Sequence, residues 1–286
     1  MEFTGCIPIT AMKITTGLLL WPRATMYAAL GVAAGTFGSS MASSVKDHYA
    51  NHLGAVYAWM IGDMDAAFSR SDAELAALSP RSSGARTAVD LGAGFGLHAI
   101  PLARRGFSVV AIDGCETLLQ ELAARAGALP IRAVNGDLLG FRAHIETPAD
   151  VIVCMGDTLT HLPDHSSVAV LLREVAASLS RGGLFAATFR DYFSAPLQGD
   201  ARFIPVHGDD RRIMTCFLEY GESTVTVHDL LHEREGTKWR LRTSSYRKLR
   251  LSPMWVAEQL SSLGLTVRSD VAPNGMIRIS ARNASP

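Results

Sequence analysis

Asp90, Gly92, Gly94, Gly96 and Asp113 are the residues whose types and spacing most clearly ask for a ligand. They fall in the stretch AVDLGAGFGLHAIPLARRGFSVVAIDG, residues 88 to 114. One apolar run ends in Asp90, three glycines follow at alternate positions, and a second apolar run ends in Asp113. Such glycines permit a tight turn and a close backbone approach, and a helix starting after the turn aims its N-terminus at the bound group. A dinucleotide cradle wants Gly-x-Gly-x-x-Gly. Counted from Gly92, the last place of that pattern is Leu97. A carboxylate two residues before the first glycine repels a pyrophosphate and suits a cationic ligand.

The elements around this stretch have to place it. Strand candidates are TAVDL (87 to 91), FSVVAID (107 to 113), IRAVNGD (131 to 137), ADVIVCM (149 to 155) and GLFAATF (183 to 189), with helical candidates near 95 to 105, 115 to 126 and 165 to 180. Nearly continuous apolar strands alternating with helices predict a parallel sheet buried on both faces, with its ligand site at the carboxyl ends of the strands. Asp90, Asp113, Asp137 and Asp157 all fall at or just beyond those ends. Residues 47 to 78 carry a helical pattern, with Tyr49, Leu53, Val56, Tyr57 and Met60 near one face. After Arg190 the chain reads as polar-alternating strands, an antiparallel addition over about 195 to 250, closed by a helix (252 to 264) and two strands. The expected fold is α/β: a Rossmann-like, mostly parallel seven-stranded sheet flanked by helices, with an N-terminal helical lid and an antiparallel insertion after the fifth strand.

Composition narrows the class. The 286 residues are 48% apolar and 19% charged, and 27 Lys+Arg balance 27 Asp+Glu. That balance gives no electrostatic case for a nucleic-acid partner, whose non-specific affinity comes from clustered cations. Cys6, Cys115, Cys154 and Cys216 form no CxxC pair, so neither a disulfide scaffold nor a zinc site is expected, and a reducing, cytoplasmic setting fits. HLPDH (161 to 165) lacks further ligand pairs, so no metal is expected. Residues 1 to 45 read as a leader, a disordered tail or an over-long start with Met41 as initiator. The runs GLLLW (17 to 21) and ATMYAALGVAAGTFG (24 to 38) are shorter than the roughly 20 residues that span a bilayer. The catalytic region is expected over 46 to 286, with the lid at 46 to 80.

Through VDLGAGFG, VVAIDG, NGD and VIVCMGDTLTHL, in that order, the chain resembles the class I S-adenosylmethionine-dependent methyltransferases over roughly residues 87 to 190. The resemblance implies S-adenosyl-L-methionine as cofactor and S-adenosyl-L-homocysteine as product. It puts Gly92, Gly94 and Gly96 under the methionine and ribose, Asp90 near the amino-acid end and Asp113 on both ribose hydroxyls. Asp137 and Leu138 fall at the adenine, and Met155 joins the cofactor wall. Two vicinal hydroxyls want a bidentate acceptor, which agrees with a carboxylate at Asp113.

A narrower likeness is to glycine and sarcosine N-methyltransferases. DHYANHLGAVYAWMIGD (47 to 63) is similar to their lid, GDTLTHL (156 to 162) to their Gly-Asn-Ser-x-x-His-Leu motif, and TFRDY (188 to 192) to the segment whose arginine holds the substrate carboxylate. It implies Tyr49 and Trp59 at the cofactor, and Tyr57, Arg190 and Tyr192 at the substrate. Asp157 stands where the motif has asparagine, an extra carboxylate that suits an amine substrate or a base. His161, one turn past the fourth strand, is the first candidate general base. If the insertion roofs the acceptor pocket, His207, His228 or Tyr220 would contact substrate, though parity places His228 and His232 on a solvated face. The expected activity is methyl transfer to a small amine or amino-acid-like acceptor, in a chain without a membrane span and compatible with a homo-oligomer. Rival readings are an RNA or protein methyltransferase, a non-catalytic cofactor-binding partner subunit, and a nicotinamide oxidoreductase.

Overall fold

This computed structural model describes residues 44–78 and 86–283. The leader, the Met41 start and nearly all of the expected loop at 79 to 86 lie outside those residues. The N-terminal segment is α1 (Val45–His48), a π-turn (Tyr49–Leu53), a single 3-10 turn, α2 (Tyr57–Ile61) and α3 (Met64–Leu78). Where periodicity predicts one helical run, Gly62 at φ +76° breaks it between α2 and α3. Then follow β1 (Thr87–Leu91), α4 (Ala99–Arg104), β2 (Ser108–Asp113), α5 (Glu116–Ala126), β3 (Ile131–Asn135), β4 (Ala149–Cys154), α6 (His165–Ser178) and β5 (Leu179–Phe189). The insertion is β6 (Phe203–Gly208), β7 (Arg212–Tyr220), β8 (Thr224–Glu235) and β9 (Lys238–Leu249), and α7 (Pro253–Ser262), β10 (Leu265–Val271) and β11 (Ile277–Asn283) complete the described chain.

Seven strands form one sheet in the order β10-β11-β5-β4-β1-β2-β3. β1 to β5 pair in parallel, while β11 runs antiparallel to β5 and β10 to β11. The α/β expectation is met, including the antiparallel sheet after the fifth strand. β4 is buried at all six positions, as a central strand covered by helices on both faces must be. The strand order reverses between β1 and β4, and at that switch point the carboxyl ends of β1, β2 and β4 open one crevice. Two apolar layers cover the sheet: Leu171, Leu172, Val175, Phe185 and Val256 pack on one face, and Leu102, Phe107, Leu122 and Val153 on the other. Polar groups fix the helix starts. Asp164 Oδ1 accepts from Ser167 N at 2.7 Å ahead of α6, and Ser252 precedes Pro253 at the first turn of α7.

The second sheet is antiparallel, in the order β6-β7-β8-β9. β8 alternates strictly: Val225, Val227, Asp229 and Leu231 face inward and buried, His228 and His232 outward and partly exposed. This agrees with the solvated-face reading of those histidines, and His228 is satisfied there by Glu219 and Ser245. Leu53, Val56, Met214 and Leu231 form a small core that seats the N-terminal segment on the inner face.

The fold predicts its own sensitivity. Leu171 on α6 is fully buried. Leu171→Ala should lower unfolding free energy by about 2–5 kcal/mol in urea titrations, whereas Met254→Ala, at a 70% exposed side chain, should leave the midpoint unchanged.

Candidate active site

The crevice at the switch point is a cavity of about 490 Å³. Its floor is the turn after β1. Gly92, Gly94 and Gly96 have φ of +77°, +52° and +97°, a region that side chains rarely adopt. A Cβ at Gly92 would lie 2.3 Å from Thr158 Cγ2, and one at Gly96 2.3 Å from Leu122 Cδ1. Gly92 and Gly96 are therefore required twice, by conformation and by close packing, and Gly94 by conformation alone. Asp113 closes one side: its Oδ2 accepts from Gly94 N and its Oδ1 from Cys115 N, both at 2.8 Å. Burial raises its pKa, and the N–H groups of Cys115, Gly94 and Gly114 oppose that shift. A carboxylate offers about four acceptor positions, so Asp113 keeps capacity for ribose hydroxyls.

Asp137, Leu138, Met155, Tyr49 and Tyr57 also line the cavity, as the sequence leads one to expect. Asp137 caps the short turn that follows it through Leu139 N at 2.9 Å. A sulfonium nucleoside fits this set: a side-chain-free floor, a carboxylate for a ribose, and a mixed apolar and acidic end for an adenine.

Three expected cofactor or catalytic contacts come out differently. Asp90 does not line the cavity; it is 1% exposed beneath the turn, and burial pushes its pKa up to about 6. Trp59 points away, donating from Nε1 to Asp209 Oδ2 at 2.6 Å and packing edge-on to His207, because α2 lies against the β6–β7 turn. Asp157 is not a free base. Its Oδ1 accepts from Arg190 N at 2.7 Å, and its Oδ2 from Arg190 Nη1 at 2.5 Å, Lys248 Nζ at 2.8 Å and Tyr192 Oη at 3.3 Å. Burial alone would raise its pKa, but Lys248 and Arg190 hold it well below the usual carboxylate range. Arg190 and Tyr192 thus meet at Asp157 and not on the cavity wall. Cys115 lines the cavity, while Cys154 is buried within β4 with its thiol pKa pushed up by burial. His207, His228 and Tyr220 are not part of the wall.

His161 does line the cavity. Burial first, then the charge of Lys248, lowers its pKa to about 3, so the imidazole is neutral throughout the physiological range. Among the described residues, none hydrogen-bonds its buried Nε2.

Lys248 is the residue that sequence reading missed. It is 6% exposed on β9, and its ammonium lies 5.9 Å from the Tyr192 ring centroid and 5.6 Å from that of Tyr246. Its signal was faint: a lysine at an inward-facing position beside Tyr246 in an alternating strand.

Comparison with known proteins agrees with this geometry. Residues 88–183 match the family described as a methyltransferase domain. The glycine/sarcosine N-methyltransferase of Aphanothece halophytica is 30% identical over 152 residues, 51% of this chain and 57% of that enzyme. The cypemycin N-terminal methyltransferase of a Streptomyces species is 30% identical over 167 residues, 52% of this chain and 66% of that protein. The structure of the CcbJ methyltransferase from Streptomyces caelestis superposes with a TM-score of 0.68 at 21% identity, covering 84% of this chain and 99% of that one. The matched stretch thus spans less than two thirds of these two curated relatives' lengths. Residues 88–183 carry a methyltransferase domain, and the chain shares the fold of S-adenosylmethionine-dependent methyltransferases. No described helix is long and apolar enough to cross a membrane.

Two outcomes follow. Asp113→Ala and Gly92→Val should each weaken S-adenosylhomocysteine binding at least about tenfold in calorimetry, the scale set by losing charge-assisted hydrogen bonds or the turn itself. Asp157→Asn should cost about 3–5 kcal/mol near neutral pH, because it leaves a buried ammonium without its counter-charge. The pH dependence has a fixed sign. Below a carboxylate's ordinary pKa of about 4 the unfolded chain takes up a proton that folded Asp157 refuses, so wild-type stability falls with pH there. The deficit of the variant should therefore shrink in acid.

Proposed function

We propose that the protein transfers a methyl group from S-adenosylmethionine to the nitrogen of a small amine, one that also carries an anionic group. The observation that carries this reading is the chemistry of the wall formed by Met155, Thr158, His161, Tyr49 and Tyr57. A hydroxyl or thiol acceptor must lose a proton to a base as it reacts. His161 is too weak a base at a pKa of about 3, and burial raises the pKa of both Tyr49 and Tyr57. Asp157, next along the chain, is fully engaged by Arg190 and Lys248. A neutral amine already bears its lone pair and asks for no base at the moment of transfer. Of the curated relatives described above, one is named a glycine/sarcosine N-methyltransferase and the other an N-terminal methyltransferase, which supports the same choice.

The bound cofactor supplies a methyl group already activated by its positive sulfur. The residues of this chain hold the partners in line and keep water out. Gly92, Gly94, Gly96 and Asp113 seat the nucleoside, and Tyr49 and Tyr57 close over it from the N-terminal segment. His161 Nε2 accepts a hydrogen bond from the amine N–H, which turns the lone pair toward the methyl group. Arg190 stands off the cavity wall, tied to it through Asp157, and its side chain is 55% exposed. With one side-chain N–H on Asp157 it keeps guanidinium donors for an anionic group that extends beyond the wall.

The pH profile tests this directly. With no wall group titrating as base, kcat/KM should rise with pH along the pKa of the acceptor's own ammonium and shift when amines of different basicity are compared. A limb fixed at one pH for every amine would point to an enzyme base and refute the scheme. His161→Ala should lower kcat by about ten- to a hundredfold while leaving S-adenosylhomocysteine affinity unchanged.

A further inference from the structure

His48 lies outside the cavity, yet it sits at the corner of a closed set of four rings. Its ring stacks on Tyr246 at 4.1 Å between centroids and meets Tyr49 edge-on at 5.9 Å. Both tyrosines in turn meet His161 edge-on, Tyr49 at 5.8 Å and Tyr246 at 5.7 Å. His48 and His161 are therefore opposite corners, and every route between them runs through a tyrosine ring. The outer corner is pinned by polar contacts. His48 Nδ1 lies 2.8 Å from Ser244 Oγ, and Nε2 lies 2.9 Å from Asp229 Oδ2 without hydrogen-bond alignment, with side-chain exposures of 0% and 2% for the pair. Asp229 is itself held, its Oδ1 accepting from Cys216 Sγ at 2.9 Å.

The three anchors come from three strands: Cys216 on β7, Asp229 on β8 and Ser244 on β9. His48 ends α1 and is followed directly by Tyr49, a cavity wall residue. Burying an imidazole and a carboxylate together gains little over apolar residues of the same shape, because desolvation offsets their attraction. What the pair adds is a fixed ring orientation. A methyl transfer depends on alignment, where displacement by about 1 Å costs up to a hundredfold.

We propose that His48, held by Asp229 and Ser244, is a positioning residue that orients His161 for the acceptor amine by clamping the Tyr49 and Tyr246 rings between them. The assignment rests on the functional reading above, but its structural half can be read without turnover. Two further features bear on it. Neither tyrosine serves as an acid or base in this arrangement, since burial raises both pKa values. The couple also joins the N-terminal segment to the insertion, so its effect reaches the cavity from outside the methyltransferase domain proper.

The test uses the full chain with histidine 15N labels and two ring variants. His48→Leu removes the stack and both polar contacts, and His48→Phe restores only the ring. In His48→Leu the His161 ring resonances should move or broaden, and kcat should fall at least about tenfold. S-adenosylhomocysteine affinity should fall by less than kcat does. His48→Phe should recover part of both changes. Unmoved His161 resonances in His48→Leu overturn the proposal, as does a kcat loss matched by equal loss of S-adenosylhomocysteine affinity. If His48→Leu does not fold, Ser244→Ala and Asp229→Asn give the same readouts, and unmoved His161 signals in both overturn it. A wild-type protein that binds S-adenosylhomocysteine but methylates no amine defeats the functional reading instead, and the resonances still decide the clamp.

Discussion

The buried carboxylate of Asp157 is the tie on which the arrangement depends. It lies three residues past the end of β4, in a left-handed backbone conformation at φ +78°. Through it, Arg190 and Tyr192 after β5 and Lys248 on β9 are drawn to one point. Remove that charge and a buried ammonium loses its counter-ion, while the two sheets lose their shared polar contact. An isolated buried lysine would discharge or move to water; here Asp157 raises the Lys248 pKa in spite of burial. Because Asp157 is engaged in this structural work, the cavity wall beside it is formed by its neighbours on the short turn, Thr158 and His161.

The cavity then follows from three sources. The parallel sheet supplies the floor, since the glycine turn and Asp113 stand at adjacent strand ends. The turn after β4 supplies Met155, Thr158 and His161. The N-terminal segment supplies Tyr49 and Tyr57, and the antiparallel sheet holds that segment from behind through Leu53, Val56, Met214 and Leu231. None of these elements makes the acceptor end alone. A neutral histidine with a buried, unpaired nitrogen, walled by tyrosines, fits the proposed orienting of a nucleophile better than its deprotonation.

Much of this was legible in the residues. The runs that became β1, β2, β3 and β4 were apolar and bounded by aspartates or glycines, so both their number and the ligand-bearing end could be read. The glycine turn was legible because its spacing ruled out the dinucleotide alternative at Leu97. What escaped reading depends on contacts distant in sequence. Asp157 looked like a free carboxylate because Lys248, 91 residues on, gives no sign of being its partner. Asp90 looked like a ligand because strand-end position does not say which way a side chain turns. Trp59 shares the helical stretch of Tyr57, yet its indole finds Asp209 on the insertion. His48 gives no local sign of a role, since nothing near it in sequence links it to Asp229.

The central claim is that this methyltransferase fold acts on nitrogen. The most direct measurement is a screen of paired acceptors with one carbon skeleton, each offered as amine, alcohol and thiol. Methylated product would be located by tandem mass spectrometry and S-adenosylhomocysteine quantified alongside. The account predicts methylation of amines alone, on nitrogen, with equal amounts of the two products. Transfer to alcohols or thiols in preference to the matched amines would contradict it.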